Sequence, residues 1–176
     1  HIRTVESEER ESIRQAAEWI ADSIAQDGLV HLFGCGHSHL LAEDFFYRAG
    51  GMVPVNPILE TSVMLHEGAV KSSKIERMAG YADETRHPSG KRLRDIADLV
   101  IDNHMPYGDA LVEIPSSSVK MASGSTVIGS VILNMVMTSA AEKLVERGIE
   151  PPVYISGNIP GGFERNQAYI DKYRKR

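Results

Sequence analysis

Leu29-Val30-His31-Leu32-Phe33-Gly34-Cys35-Gly36-His37-Ser38-His39-Leu40-Leu41-Ala42-Glu43 runs from a short apolar segment through two glycines one residue apart into helical spacing. Its β-forming residues followed by Gly-x-Gly and then a serine predict a strand, a tight turn and a helix start. Such a turn aims backbone N–H groups and the positive end of a helix at one point, which suits a phosphate or a carboxylate. Gly34, Gly36, His37, Ser38 and His39 are therefore candidate binding residues. Tight strand-to-helix turns also need glycine where nothing binds, so the motif alone leaves both readings open.

Outward from this stretch the chain alternates between helical and extended patterns. Residues from about Val5 to Gln26 place Ile13, Ala16, Ala17, Ile20 and Ile24 on one helical face, and Gly28 closes the helix. Ser38 is expected to cap a helix whose face is Leu41, Ala42, Phe45, Phe46 and Ala49, ended by Gly50-Gly51. Met52 to Asn56 reads as a second strand, placed at an edge or a strand end by Pro54, and residues 57–84 carry turn and helix signals. Arg92 to Ala97 predicts a short helix leading into a third strand, Asp98 to Asp102; residues 115–125 predict a loop. Ser123 or Ser125 would cap a long helix reaching about Arg147, apolar on more than one face and so expected to be buried on two sides. Its apolar run, interrupted by Asn134, Thr138 and Ser139, falls short of the ~20 residues a membrane span needs. It is read as core plus a subunit contact, giving a homodimer or a dimer of dimers. Val153 to Ser156 supplies a fourth strand before a weakly helical polar tail from residue 159.

Composition narrows the partners. With 176 residues, 42% of them hydrophobic, the chain is long enough for one core, and a single domain over 1–176 is expected. A net charge of −5 offers no footprint for nucleic acid, and the one basic cluster, Lys172-Tyr173-Arg174-Lys175-Arg176, reads as a solvated tail. The lone Cys35 forms no internal disulfide and fits a reducing, cytoplasmic compartment. Between its glycines it reads as a small packed residue. No signal peptide or membrane-length run is visible, so no membrane partner is expected.

Strands separated by helices imply parallel βαβ units with ligands at the carboxyl ends of the strands. The Phe33-Gly34-Cys35-Gly36-His37-Ser38 turn, the approach Ser89…Leu93…Ala97-Asp98 to a strand, and the Ser125-Thr126 entry to a long apolar helix together resemble the SIS (sugar isomerase) domain. Gly36-His37-Ser38-His39, Pro57-Ile58-Leu59-Glu60, His66-Glu67-Gly68 and Arg86-His87-Pro88-Ser89-Gly90-Lys91-Arg92 resemble a bacterial branch described as phosphoheptose isomerases. The resemblance covers nearly the whole chain. It implies an α/β fold: a three-layer αβα sandwich with a mostly parallel sheet, flavodoxin-like in layering but with a site that takes no nucleotide. It also exposes a departure. The family's strand ending in a Ser-x-Ser-Gly phosphate loop, with the helix and strand that follow, is missing between Glu84 and Thr85. Either the segment is deleted, or the chain as written joins two pieces across an omitted stretch. The second is favoured, because removing a central strand strands backbone donors and acceptors on both neighbours.

The resemblance implies an aldose–ketose isomerase of a phosphosugar, with a non-catalytic phosphosugar-sensing module or an aminosugar-phosphate enzyme as alternatives. Isomerisation needs a base between adjacent carbons, an acid among the oxygens and a phosphate anchor. Glu60, similar in position to the acidic residue lining many SIS sites, is the expected base; read alone, it equally caps the helix beginning near Thr61. His66 and Glu67 are adjacent and would diverge by about 100° on a helix, unless Gly68 breaks it. His66 and His87 are candidate acids; Glu67, Ser89, Ser125 and Thr126 are candidate substrate contacts. No cofactor and no metal are expected. Zinc at His37 or His39 with His66 or His87 is the weaker reading, because the spacing is not a specific ligand pattern. Phosphoheptose isomerases carry a histidine and a glutamate further along the first site helix, where this chain has Asp44 and Arg48, so heptose specificity is not expected.

Overall fold

Small residues spaced by four along the first amphipathic segment let a second helix approach closely. In the computed structural model, which describes residues 1–78 and 91–174, that segment is two helices, α1 (Ile2–Glu8) and α2 (Arg10–Ala25), interrupted at Glu9 with φ −102°. The inward face of α2 is Ile13, Ala17, Ala21 and Ile24. Against it lies α5 (Ser125–Glu146), whose Met137, Ala140 and Leu144 join Phe45, Met52 and Val55 in the main core. Glu18 of α2 accepts from Lys143 at 2.6 Å and also pairs with Arg147, which reaches Asp22 at 2.9 Å. These pairs fix the register of two helices joined by nonpolar contact.

At 22 residues, α5 is longer than the interrupted apolar run anticipated, and by length and composition it would suffice to cross a membrane. Only a third of that stretch is buried within the chain, and the buried set Ile128, Ile132, Val136, Met137, Ala140 and Leu144 divides between two core clusters, one with Ala17, Phe45 and Met52 and the other with Val5 and Ile13. No serine caps it. Gly124 occupies the cap position, and Asp109 accepts from the backbone N–H of Gly124 (3.1 Å) and Ser125 (2.8 Å) and from Ser125 Oγ (2.7 Å). A carboxylate from fifteen residues upstream is a better acceptor for the helix's unpaired N–H groups than a local hydroxyl. The Ser125 hydroxyl and these amides hold the Asp109 carboxyl below the usual aspartate range. Its folded-state pKa thus lies below the unfolded one, so the contribution is complete above the ordinary aspartate value and is lost as pH falls through the folded value. Asp109→Ala is expected to cost about 1–2 kcal/mol at neutral pH, with the difference from wild type shrinking in acid. Urea unfolding at both pH values checks this.

Alternation around the Gly-x-Gly turn yields one parallel pair. β1 (Val30–Phe33) and β2 (Val55–Ile58) align Val30 with Val55 and Leu32 with Pro57, joined through a 3₁₀ turn at Gly36–Ser38 and α3 (His39–Asp44). The second strand thus begins three residues later than expected, because Met52 is taken by an isolated antiparallel bridge to Val153. That bridge is all that forms of the expected fourth strand. Residues 98–102 pair with no strand among the described residues. Extended backbone becomes a strand only beside a partner, and the neighbour expected there is the missing central segment. The anticipated helix over 92–97 is a 3₁₀ turn, Leu93–Asp95, in which Asp95 accepts from the Arg92 N–H at 2.7 Å. The region expected as a loop holds half of an antiparallel hairpin, β3 (Ala110–Glu113) with β4 (Lys120–Ser123).

The basic terminus is not a solvated tail over its described part. It ends a twelve-residue helix, α6 (Gly162–Tyr173), with Tyr173 buried against Val53 and Tyr154. Arg174 donates to the carbonyls of Val53 (3.1 Å) and Val55 (2.7 Å) and lies 4.4 Å over the Phe46 ring. Lys172 pairs with Asp27 at 2.5 Å.

Candidate functional site at the carboxyl ends of the parallel strands

The turn leaving β1 is set by backbone crowding. A methyl group on Gly34 would come within 2.5 Å of the Ser38 carbonyl, so only glycine lets the chain fold back this tightly, and Gly36 takes φ +51°. Cys35 is extended (φ −103°, ψ 161°) and opens the turn, its carbonyl accepting from the Ser38 N–H at 2.9 Å. Ser38 is already helical and makes no side-chain cap, contrary to expectation, and α3 stops at Asp44 instead of reaching Ala49. Gly34→Ala is expected to displace Ser38 and His39 together; the imidazole resonance of His39 in an NMR spectrum reports this directly.

The tight turn delivers His39 into the interior, 2% exposed. Its Nδ1 lies against the carbonyl oxygen of Gly36, which only accepts, so Nδ1–H is the donor in this contact. Nε2 is buried without a hydrogen-bond partner and lies 3.5 Å from Glu43 Oε1, one helical turn along α3. His66 Nε2 lies 4.0 Å from the same oxygen, and the two imidazoles meet edge to face with centroids 4.9 Å apart.

His66 and Glu67 precede α4 (Ala69–Ile75) in a turn ended by Gly68 at φ +129°, and so are not helical. The break at Gly68 that the sequence allowed is present, and within the turn His66 faces Glu43 while Glu67 accepts from Lys71 at 2.8 Å. The Lys71 ammonium, with help from Thr61, holds the Glu67 carboxyl below the usual range. Beyond β2, Glu60 is exposed and accepts from the backbone N–H (3.3 Å) and hydroxyl (2.5 Å) of Ser62, capping the 3₁₀ turn Thr61–Val63. Both sequence readings of Glu60, cap and site acid, start from this position at a strand's carboxyl end.

Glu76 was not anticipated. The buried Ser72 hydroxyl donates to the Val63 carbonyl (2.8 Å) and to Glu76 Oε1 (3.2 Å). A methyl on Gly36 would lie 3.2 Å from that same Oε1, so a carboxylate borders the turn expected to hold an anion. At the far side, Thr126 and Glu43 line a common pocket of about 470 Å³ with Leu40, Leu41, Asp44 and Ser130, whereas the Ser125 hydroxyl is committed to Asp109. Asp44 pairs with Arg48. His87 and Ser89 lie outside the described residues.

A Gly-x-Gly turn between parallel strands, with acids and imidazoles at their carboxyl ends, defines an α/β ligand-binding domain. The model of the SIS domain matches residues 1–114. Curated relatives are similar along the whole chain: a UPF0309 protein of Geobacillus kaustophilus is 39% identical over 100% of this chain and 91% of its own length. UPF0309 proteins of Halalkalibacterium halodurans and Caldanaerobacter subterraneus are each 38% identical over 99% of this chain and 91% and 94% of theirs. The chain belongs to the SIS domain family, a family of phosphosugar-binding domains. The alignment with the Geobacillus protein runs over 228 residues and takes in all 176 of this chain, so that relative carries internal residues that this chain lacks. The junction where their absence is expected, Glu84 to Thr85, lies outside the described residues.

Proposed function

We propose that the chain binds a phosphosugar at the carboxyl ends of β1 and β2 and catalyses its aldose–ketose isomerisation. The observation that carries this reading, within an SIS domain, is the gathering of His39, Glu43 and His66 beside the Gly34–Ser38 turn. Glu60 is the base that moves a proton between adjacent carbons, and His66, exposed at the mouth, handles protons on the sugar oxygens. The net reaction is redox-neutral and needs no redox cofactor. Because Glu76 borders the turn, a second anion there is disfavoured, and the turn, with His37 and Ser38, is assigned to sugar hydroxyls. The phosphate then falls to the stretch that the relatives carry. With that stretch between β1 and residues 98–102, the fold becomes the three-layer αβα sandwich. The exposed side of α5, where Val127 and Val145 face outward, is the homodimer contact, and a metabolic phosphosugar places the chain in the cytoplasm.

A panel of aldose and ketose phosphates incubated with the protein and followed by ¹H NMR tests the reading. Conversion of one pair is expected. Binding without conversion would instead favour a phosphosugar-sensing module, and neither would remove the site.

A further inference from the structure

We infer that His39, Glu43 and His66 form a binding site for a divalent transition metal of the zinc type. One ligand atom from each of the three lies within 4.8 Å of the others. A tetrahedral site with bonds of about 2.0–2.1 Å holds its donors about 3.4 Å apart, and the His39 Nε2 to Glu43 Oε1 separation is already 3.5 Å. Closing the rest of the site requires movement mainly of His66, which stands on an exposed turn.

Three independent features point to a metal rather than to a structural cluster. First, His39 Nε2 is buried beside the Glu43 carboxylate with no hydrogen-bond partner, an orphaned polar atom that a bound cation would satisfy. Second, the Gly36 carbonyl fixes the His39 tautomer by accepting from Nδ1–H, the orienting contact that metal-bound imidazoles ordinarily make. Third, two imidazoles and one carboxylate form a donor set matched to zinc, and their three ligands leave a fourth position for water or a substrate oxygen. The His39-Glu43 pair lies five residues before the Asp44 and Arg48 positions, which pair with each other and take no part. With a metal bound, His66 would serve as a ligand in place of the proton-handling role given it above, and the ion would supply Lewis-acid polarisation of a sugar oxygen.

The site does not depend on the phosphosugar reading, and zinc titration measures it without any sugar. Purified protein stripped with chelator is titrated with Zn²⁺ by calorimetry and with Co²⁺ by visible absorption. One equivalent is expected to bind, with the intense absorption of a four-coordinate cobalt centre. Glu43→Gln and His66→Ala, both at solvent-accessible positions, are each expected to weaken binding by at least about 100-fold with circular dichroism unchanged. His31→Ala, outside the cluster, is expected to bind as wild type. Absence of a one-equivalent site in the wild-type protein, or undiminished binding by both Glu43→Gln and His66→Ala, overturns the inference.

Discussion

Glu60→Gln is expected to lower kcat for the phosphosugar by about 10³-fold, within the range for removing a general base, while the sugar's dissociation constant barely changes. Gln retains an oxygen that can accept from the Ser62 N–H and hydroxyl, so the 3₁₀ turn after β2 stays capped. What it loses is the capacity to take a proton. A fall in kcat with unchanged thermal midpoint assigns this carboxylate to the chemistry, since a residue that only capped the turn would leave both unchanged on replacement by Gln. Unchanged turnover would remove Glu60 from the mechanism.

Leu144→Ala is expected to have the largest effect on stability. The side chain is 0% exposed between α2 and α5, beside Ala140 and Ala21, where neighbours cannot collapse into the space. Such truncations cost about 2–5 kcal/mol, a large part of the ~5–15 kcal/mol that holds a domain together. A lower urea midpoint with unchanged slope reads this. Val127→Ala on the same helix, at a position 60% exposed, should change stability by less than about 0.5 kcal/mol in the isolated chain. A comparable cost at Val127, growing with protein concentration, would mean that a second subunit covers that side of α5.

Local signals in the sequence were strong where one segment determines its own structure. The apolar run into Gly34 and Gly36 is read correctly as strand and turn, and Ile13, Ala17 and Ile24 as part of the buried face of α2, whereas the buried Ala21 is missed. Long-range partners were not legible. Asp109 replaces a local serine cap from fifteen residues away, and Arg174 turns a basic tail into a cap for the Val53 and Val55 carbonyls. The strand expected at 98–102 shows the same limit from the other side: its pattern is extended, but no neighbour pairs with it among the described residues. At the site, His39 and Glu43 stand at the i, i+4 spacing that puts two side chains on one helical face, a signal present in the sequence. The third member, His66, is 23 residues beyond Glu43 and precedes α4, which packs against the Gly36–Ser38 turn.

The most direct measurement is a titration of the isotope-labelled protein with aldose and ketose phosphates, following backbone and imidazole resonances together with those of the sugar. The account predicts shifts concentrated at Gly36, His39, Glu60 and His66, with interconversion of one sugar pair. Shifts confined to other surfaces, such as the groove between α2 and α5, or no response to any phosphosugar, would contradict it.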